Sequence, residues 1–142
     1  MIPKFFRLIA ARWSIAEVLA HMVAIEQLYE QRARRIVLDE SPALSPYVPP
    51  DEAESKKKTS RRHLEKFVGL RRAFAFYLHS IPSNAAGRTG QHHEMGTITL
   101  SQMLHELANH DLGHIRQIAE LYRARAFYPN AGPFQRFSNP KP

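Results

Sequence analysis

The sequence predicts an all-α protein, and three observations carry that prediction. Apolar residues recur at helical spacing over three long stretches, residues 14–38, 51–81 and 99–125. Two of these stretches open with a capping-box pattern, in which Ser14 is followed by Glu17 and Thr99 by Gln102. Between the first two stretches, residues 41–50 contain four prolines, which exclude a helix and predict an extended surface connection.

The first helix is expected to begin after Ser14 and to run to about Leu38. Its apolar stripe contains Ile15, Val18, Leu19, Met22, Ile25, Tyr29, Ala33 and Ile36. His21 lies at the edge of this stripe and Glu26 lies inside it. A carboxylate in that position either supports a neighbouring binding site or forms half of a buried ion pair.

The second helix carries an arginine within its apolar stripe. Asp51 is placed to cap this helix, and the stripe consists of Leu64, Phe67, Leu70, Phe74, Leu78 and Ile81. Arg71 lies in the middle of it. A buried guanidinium requires a carboxylate partner. Asp111 and Glu26 are the two candidates, because both lie on apolar stripes of other helices.

The third helix carries two histidines four residues apart, His110 and His114, which therefore lie one above the other. These two residues and Asp111 fall on or beside the apolar stripe, whereas His105 points to the opposite side. Two interpretations compete. The histidines are either hydrogen-bonded core residues, or two ligands of a metal ion whose third ligand comes from another helix.

The long stretch 82–98 is expected to be a loop. Loops of this length in compact domains are often functional, and His92, His93 and Glu94 could reach toward a site at one end of a bundle. Exposed polar loop residues are the simpler account. Residues 126–142 are expected to form an irregular tail whose aromatic side chains lie against the helices.

The composition limits the class of protein. One domain is expected for 142 residues, and the absence of cysteine excludes disulfides and thiolate ligands, so any metal must be held by His, Asp or Glu. No apolar run approaches a membrane span, and the first residues are too short and interrupted for a secretory signal. We therefore expect a cytoplasmic protein without membrane association.

The charge is strongly positive, with a net value of +7. The densest basic run is Lys56–Arg62, which is either a solvated helix face or a patch for an anion or nucleic acid. None of the known nucleic-acid-binding signatures occurs in the sequence. A nucleic-acid partner is therefore the less favoured interpretation.

The ordered combination of these motifs resembles the DinB/YfiT-like superfamily over roughly residues 13–122. The residues that carry the resemblance are Trp13, Ser14, Glu17, His21, Phe67, Arg71, His92, Glu94, Gly96, Thr99, Leu100, His110, Asp111 and His114. The resemblance implies a four-helix bundle that holds one divalent metal ion with three histidines, by position His21, His110 and His114. Zinc, nickel and iron suit such a ligand set about equally.

Members of this superfamily carry a full helix before the Trp-Ser motif, whereas here 12 residues precede Trp13. Residues 1–12 are therefore interpreted as a remnant of the first helix. A bundle without its full first helix would expose an apolar groove, which soluble monomers rarely tolerate. We accordingly expect a homodimer in which a neighbouring segment covers this groove.

The resemblance also implies metal-dependent chemistry, in which the ion activates a thiol or a water molecule, as in an S-transferase or a hydrolase. Glu26, Arg71 and Asp111 would then orient the ligands or pair with one another. Glu94 and His93 are the candidates for a general base. The alternative is a non-catalytic, stress-related metal-binding protein with a basic face for an acidic or nucleic-acid partner. The sequence does not identify the small-molecule substrate.

Overall fold

The computed structural model describes residues 13–138 and residue 142. This part of the chain contains helices α1 (Ile15–Leu38), α2 (Glu52–Lys57), α3 (Ser60–Ser80) and α4 (Leu100–Tyr122). It also contains one hairpin of two strands, β1 (Thr89–His92) and β2 (Gly96–Thr99). The predominantly helical structure confirms the predicted fold class. The remnant helix predicted for residues 1–12 lies outside the described residues.

The two capping boxes predicted from the sequence define the starts of α1 and α4. At α1, the Ser14 hydroxyl accepts a bond from the Glu17 backbone N–H at 3.2 Å, and the Glu17 carboxylate accepts one from the Ser14 N–H at 2.7 Å. Thr99 and Gln102 make the same reciprocal pair at α4. Each box satisfies two backbone donors that have no partner within the helix, so both helices begin at a fixed residue.

Helix α1 packs against both other long helices, with α3 parallel and α4 antiparallel to it. Arg71 of α3 bonds Glu26, and the Arg34 guanidinium further along α1 lies 4.0 Å from the ring centroid of Tyr77, further along α3. The end of α4 instead packs against the start of α1, where Ile118 and Leu121 contact the buried cluster of Val18, Leu19 and Met22. This topology requires a long crossover to return the chain from the end of α1 to the start of α3.

The crossover, residues 39–59, is extended before it forms the short helix α2. Leu44 N–H donates to the carbonyl of Gln91, and Gln91 N–H donates to that of Pro42, at 2.9 and 2.8 Å. The prediction of a single helix from Asp51 onward is wrong, because the helix ends at Lys57 and a second one begins at Ser60. The Thr59 hydroxyl accepts the Arg62 backbone N–H and caps a new helix.

The stretch 82–98 is not the plain loop that was predicted. After a 3₁₀ turn at Ser83–Gly87, β1 and β2 pair antiparallel, with Gly90 opposite Ile98. A Cβ atom on Gly90 would lie 2.9 Å from the Leu44 side chain and 3.0 Å from that of Ile36. Glycine therefore lets β1 approach α1 and the crossover closely enough to close that end of the core.

The end of the described chain turns in short π and 3₁₀ segments, Arg123–Phe127, Tyr128–Asn130 and Gly132–Phe137. Of the aromatic residues here, Phe127 stacks on Tyr122, the last residue of α4, as expected. The expectation that the tail aromatics lie against the helices is wrong for Phe134 and Phe137, which are 72% and 69% exposed and pack on each other.

An apolar groove of about 190 Å³ runs between α3 and α4, lined among others by Phe74, Leu78, Leu104 and Leu107. The homodimer predicted from the sequence stays a prediction, as does the cytoplasmic location. Among the described helices, none combines the length and the apolar character needed to cross a membrane.

The two phenylalanines at positions 74 and 76 of α3 provide a test of this packing. Phe74 is 1% exposed and Phe76 is 79% exposed. Phe74→Ala should lower the free energy of unfolding by about 3–5 kcal/mol, because it leaves a cavity in the core. Phe76→Ala, the matched control, should change it by no more than about 0.5 kcal/mol. Urea denaturation measures both, and similar losses in the two variants would contradict the orientation of α3.

Candidate metal centre

Three histidine side chains converge between α1 and α4. The Nε2 atom of His110 lies 2.9 Å from Nε2 of His21 and 3.1 Å from Nε2 of His114. The candidate ligand atoms of all three residues lie within 4.8 Å of one another. His21 and His114 are buried, and His110 is partly buried. Two histidines predicted on one helix and a third on another thus form a single cluster.

The antiparallel packing of α1 and α4 explains how residues at different depths meet. His21 lies in the second turn of α1, while His110 lies three turns into α4. Because the start of α1 packs beside the end of α4, an early residue of one helix faces a late residue of the other. The offset between the two helix starts therefore brings the rings to the same level.

The outward-facing nitrogens of two of these rings are held by neighbouring side chains. His21 Nδ1 lies 2.8 Å from the Tyr47 hydroxyl of the crossover, and His114 Nδ1 lies 2.8 Å from Gln117 Oε1. An amide oxygen only accepts hydrogen bonds, so this contact is a hydrogen bond in the tautomer that carries its proton on Nδ1, and that tautomer directs a lone pair from Nε2 into the cluster. Each contact therefore orients one ring with Nε2 inward.

His110 differs from the other two histidines. Among the described residues, its Nδ1 is the one buried side-chain nitrogen or oxygen without a hydrogen-bond partner. The Asp111 carboxylate oxygen lies 3.7 Å away, which is too long for a hydrogen bond but close enough for an electrostatic interaction. His110 thus contacts both neighbouring histidines through Nε2, while its other nitrogen faces a carboxylate.

The cluster disfavours protonation of its histidines. Burial, followed by repulsion from His110 and His114, lowers the pKa of His21 from its usual 6.5 to about 3. Burial likewise lowers the pKa of His114, against the opposing effect of its bond to Gln117. Both rings are therefore neutral near pH 7, which is the form of imidazole that binds metals.

The two nitrogen separations that involve His110 suit one divalent ion, and the third, between His21 and His114, is at most 4.8 Å. A tetrahedral ion with bonds of about 2.0–2.1 Å holds its ligand nitrogens roughly 3.3 Å apart. The observed separations of 2.9 and 3.1 Å are close to that spacing. Without an ion, inward lone pairs at this distance repel one another unless a proton lies between them. Three imidazoles suit zinc, nickel or iron.

Beside the cluster, Arg71 links all three long helices. Its Nε and Nη2 donate to the two carboxylate oxygens of Glu26 at 2.7 and 2.6 Å, and Nη2 also donates to Asp111 at 2.6 Å. The bonds to Glu26 contribute most to raising the pKa of Arg71. Burial opposes ionisation of Asp111, but the His110 ring and the Arg71 guanidinium outweigh it and lower the pKa of that carboxyl. Both carboxylates proposed from the sequence as partners of Arg71 thus contact it.

Trp13 covers one side of the cluster. Its ring centroid lies 5.1 Å from that of His21, and it stacks on His114 at 6.4 Å with an interplanar angle of 16°. It is the single tryptophan of the sequence. Its fluorescence therefore reports directly on what happens at these two rings.

The structure does not bring the other candidate residues to this cluster. His93 and Glu94 lie at the exposed turn of the hairpin, where their side chains are 3.6 Å apart, and neither belongs to the group of converging ligands. The predicted roles of these two residues stay predictions. His105 bonds the Ser101 carbonyl on the exposed side of α4.

The basic run is largely neutralised by local ion pairs. Lys56 pairs with Glu52, Lys57 with Glu54, and Arg61 with Glu65. All these side chains are exposed, so each pair is worth little energy, yet each reduces the local positive potential. The arrangement favours a solvated helix face over a dedicated nucleic-acid surface.

Sequence reasoning did not identify Tyr47 and Gln117 as site residues. Gln117 follows His114 by three positions, so helical spacing alone could have indicated it. Tyr47 lies in the proline-rich crossover, which has no periodicity. The one feature that could have indicated it is its hydroxyl group. A tyrosine that packs against a core usually finds a hydrogen-bond partner for its hydroxyl, so a contact with a polar residue of a helix could have been expected.

Comparisons with known proteins agree with this architecture. Over 78% of this chain, the fold matches the structure of YfiT from Bacillus subtilis with a TM-score of 0.73 and 23% sequence identity. That protein is described as a probable metal-dependent hydrolase with an unusual four-helix bundle topology, and the match confirms the predicted bundle fold. This chain spans 66% of the length of YfiT, just under two thirds.

No curated protein matches the sequence. A family model for the DinB superfamily matches residues 5–118, which is most of the chain. That range contains all three converging histidines together with Tyr47, Arg71 and Gln117. The chain belongs to the DinB superfamily.

Proposed function

We propose that His21, His110 and His114 bind one divalent metal ion and that the protein is a metal-dependent enzyme of the DinB superfamily. The observation that carries this proposal is the convergence of three Nε2 atoms, two of them on rings whose Nδ1 atoms are held from outside. The description of YfiT as a probable metal-dependent hydrolase supports it.

A divalent ion held by three nitrogens keeps coordination positions open and supplies Lewis-acid activation of a thiol or a water molecule. The reaction is accordingly of the S-transferase or hydrolase type. Tyr47 and Gln117 fix the ring orientations, and Trp13 excludes water from one side. Glu94 and His93 remain the candidate proton acceptors, although a movement of the hairpin would be needed to bring them to the cluster.

The proposal predicts the metal content of the purified protein. Chelator-free protein should carry one equivalent of zinc, nickel or iron, measured by mass spectrometry of the metals. His110→Ala should lose it, because two ligands remain, while His105→Ala, on the exposed side of the same helix, should retain it. Cobalt(II) added to metal-free protein should quench Trp13 fluorescence in wild type and not in His110→Ala. No bound metal in wild type after incubation with all three ions would refute the proposal.

The hydroxyl of Tyr47 should contribute to metal affinity without being a ligand. Tyr47→Phe keeps the ring packing and removes the bond to His21 Nδ1, so metal affinity should fall by roughly 10-fold or more. Tyr77→Phe is a suitable control, because that hydroxyl lies on α3 away from the cluster. Competition with a chromogenic chelator measures both affinities, and equal values would show that His21 is oriented by packing alone.

Acid should destabilise the metal-free protein through His21. Its pKa is about 3 in the folded state and near 6.5 when unfolded, so between these values the unfolded state binds more protons. The contribution to stability is complete above about pH 6.5 and is lost as the pH falls toward 3, by at most about 1.4 kcal/mol per pH unit. Urea denaturation in a chelator at pH 7.5, 6.0 and 5.0 should show this decline, and His21→Gln should flatten it. An equal slope in the variant would assign the effect to other groups.

A further inference from the structure

Arg32 is a buried cation that the proposed metal centre does not use. The residue is 4% exposed. Its Nε and Nη2 atoms both donate to one backbone oxygen, the carbonyl of Ser45, at 3.0 and 2.6 Å. In the part of the chain that the structure describes, no carboxylate forms an ion pair with Arg32 within the 4.0 Å limit for such contacts. The charge is therefore buried without a counter-ion.

Comparison with Arg71 shows how unusual this is. Arg71 is less buried and yet bonds two carboxylates, Glu26 and Asp111. Around Arg32 the described neighbours are instead the Tyr29 ring, 5.7 Å from the guanidinium carbon, and His92, whose pKa is lowered first by burial and then by the nearby arginine. A largely buried guanidinium without a counter-charge is costly even where one of its nitrogens reaches solvent, and an anionic ligand would reduce that cost.

The position of Arg32 connects it to the three-histidine cluster. Arg32 follows His21 by 11 residues on α1, which places the two side chains about 20° apart on one face and about 16 Å apart along the axis. The crossover spans the same interval: Ser45 contacts Arg32 through its carbonyl, and Tyr47 contacts His21 through its hydroxyl. One short segment therefore borders both the buried cation and the cluster.

We propose that Arg32 binds a carboxylate group of the substrate whose reacting group lies at His21, His110 and His114. The guanidinium has five N–H donors and uses two of them on Ser45, so donors remain for a carboxylate, the anion that its planar geometry fits best. The substrate class is thus a small organic acid. Its carboxylate lies on the order of 10–15 Å from the reacting atom, because the side chains of Arg32 and His21 shorten the separation of about 16 Å along the helix axis. The inference rests on the proposed function for the location of that atom.

The carboxylate site can be tested without a metal. Glutarate is titrated into ¹⁵N-labelled, metal-free protein while the Nε–H signal of Arg32 is followed by NMR, with dimethyl glutarate as the uncharged control. The signal should shift with glutarate, saturate at millimolar concentrations, and stay unchanged with the ester. The same should hold in His110→Ala, because this site does not need the ion. No shift in wild type would overturn the proposal.

Variants separate ligand binding from support of the crossover. Arg32→Gln should weaken glutarate binding at least tenfold, and Arg32→Lys, which keeps the charge but not the planar fork, should weaken it several-fold. Arg35→Gln is the matched control, because Arg35 also donates to a crossover carbonyl, that of Ala43, from an exposed position. If both Arg32 variants lose only thermal stability and bind glutarate like wild type, Arg32 merely holds the crossover. If Arg35→Gln loses binding equally, the anion binds the basic surface.

A second measurement decides whether the carboxylate and the metal belong to one site. In cobalt-loaded protein, the visible spectrum reports the approach of a thiol to the ion, with glutathione and its dimethyl ester as probes. Glutathione should bind at least tenfold more tightly than the ester in wild type, and equally weakly in Arg32→Gln. Equal affinities of the two probes in wild type would overturn the shared site. If the protein binds no metal, the proposed function and the shared site both fail, while the glutarate titration still decides whether Arg32 binds carboxylates.

Discussion

The ion-pair network of Arg71 fixes the relative position of the three long helices. Arg71 extends from α3 to Glu26 on α1 and to Asp111 on α4, and Glu26 is completely buried. Because removing Arg71 would leave both carboxylates without their counter-charge, the network holds one arrangement of the helices and penalises others. Asp111 is the residue next to His110, so the same network that aligns the helices also fixes the depth at which α4 presents its histidines to His21.

The helices and the histidine cluster were largely predictable because both depend on local periodicity. Helical spacing placed His110 and His114 on one face, and the capping pattern at Ser14 fixed the start of α1 and hence the direction of His21. The need of a buried guanidinium for a counter-charge identified Glu26 and Asp111 as the partners of Arg71. For these residues the rule concerns one helix face or one buried charge. The grouping of His21 with His110 and His114 came instead from the resemblance to the superfamily, because periodicity alone does not show which helices pack together.

The remaining features follow either from contacts between segments that are distant in sequence or from local contacts that residue type alone does not predict. The hairpin at residues 89–99 packs against Leu44 and Ile36, and its own sequence does not predict contacts with those residues. Thr59 interrupts a helix because its hydroxyl accepts the backbone N–H of Arg62 and so caps a new helix. Helix propensities alone do not predict whether a threonine will cap a helix or continue one. The aromatic residues of the tail were expected to lie against the helices, yet Phe134 and Phe137 pack on each other.

The topology also explains why the outer wall of the site comes from an irregular segment. Since α1 and α3 are parallel, the chain must return along the whole length of the bundle before α3 begins, and this return path passes over the face of α1 that bears His21 and Arg32. The proline-rich sequence keeps the path extended, so that Ser45 and Tyr47 reach Arg32 and His21, which lie three turns apart. An extended wall of this kind can change its side chains without disturbing helix packing. Substitutions in the crossover can therefore reshape this wall while the helices keep the three histidines in place.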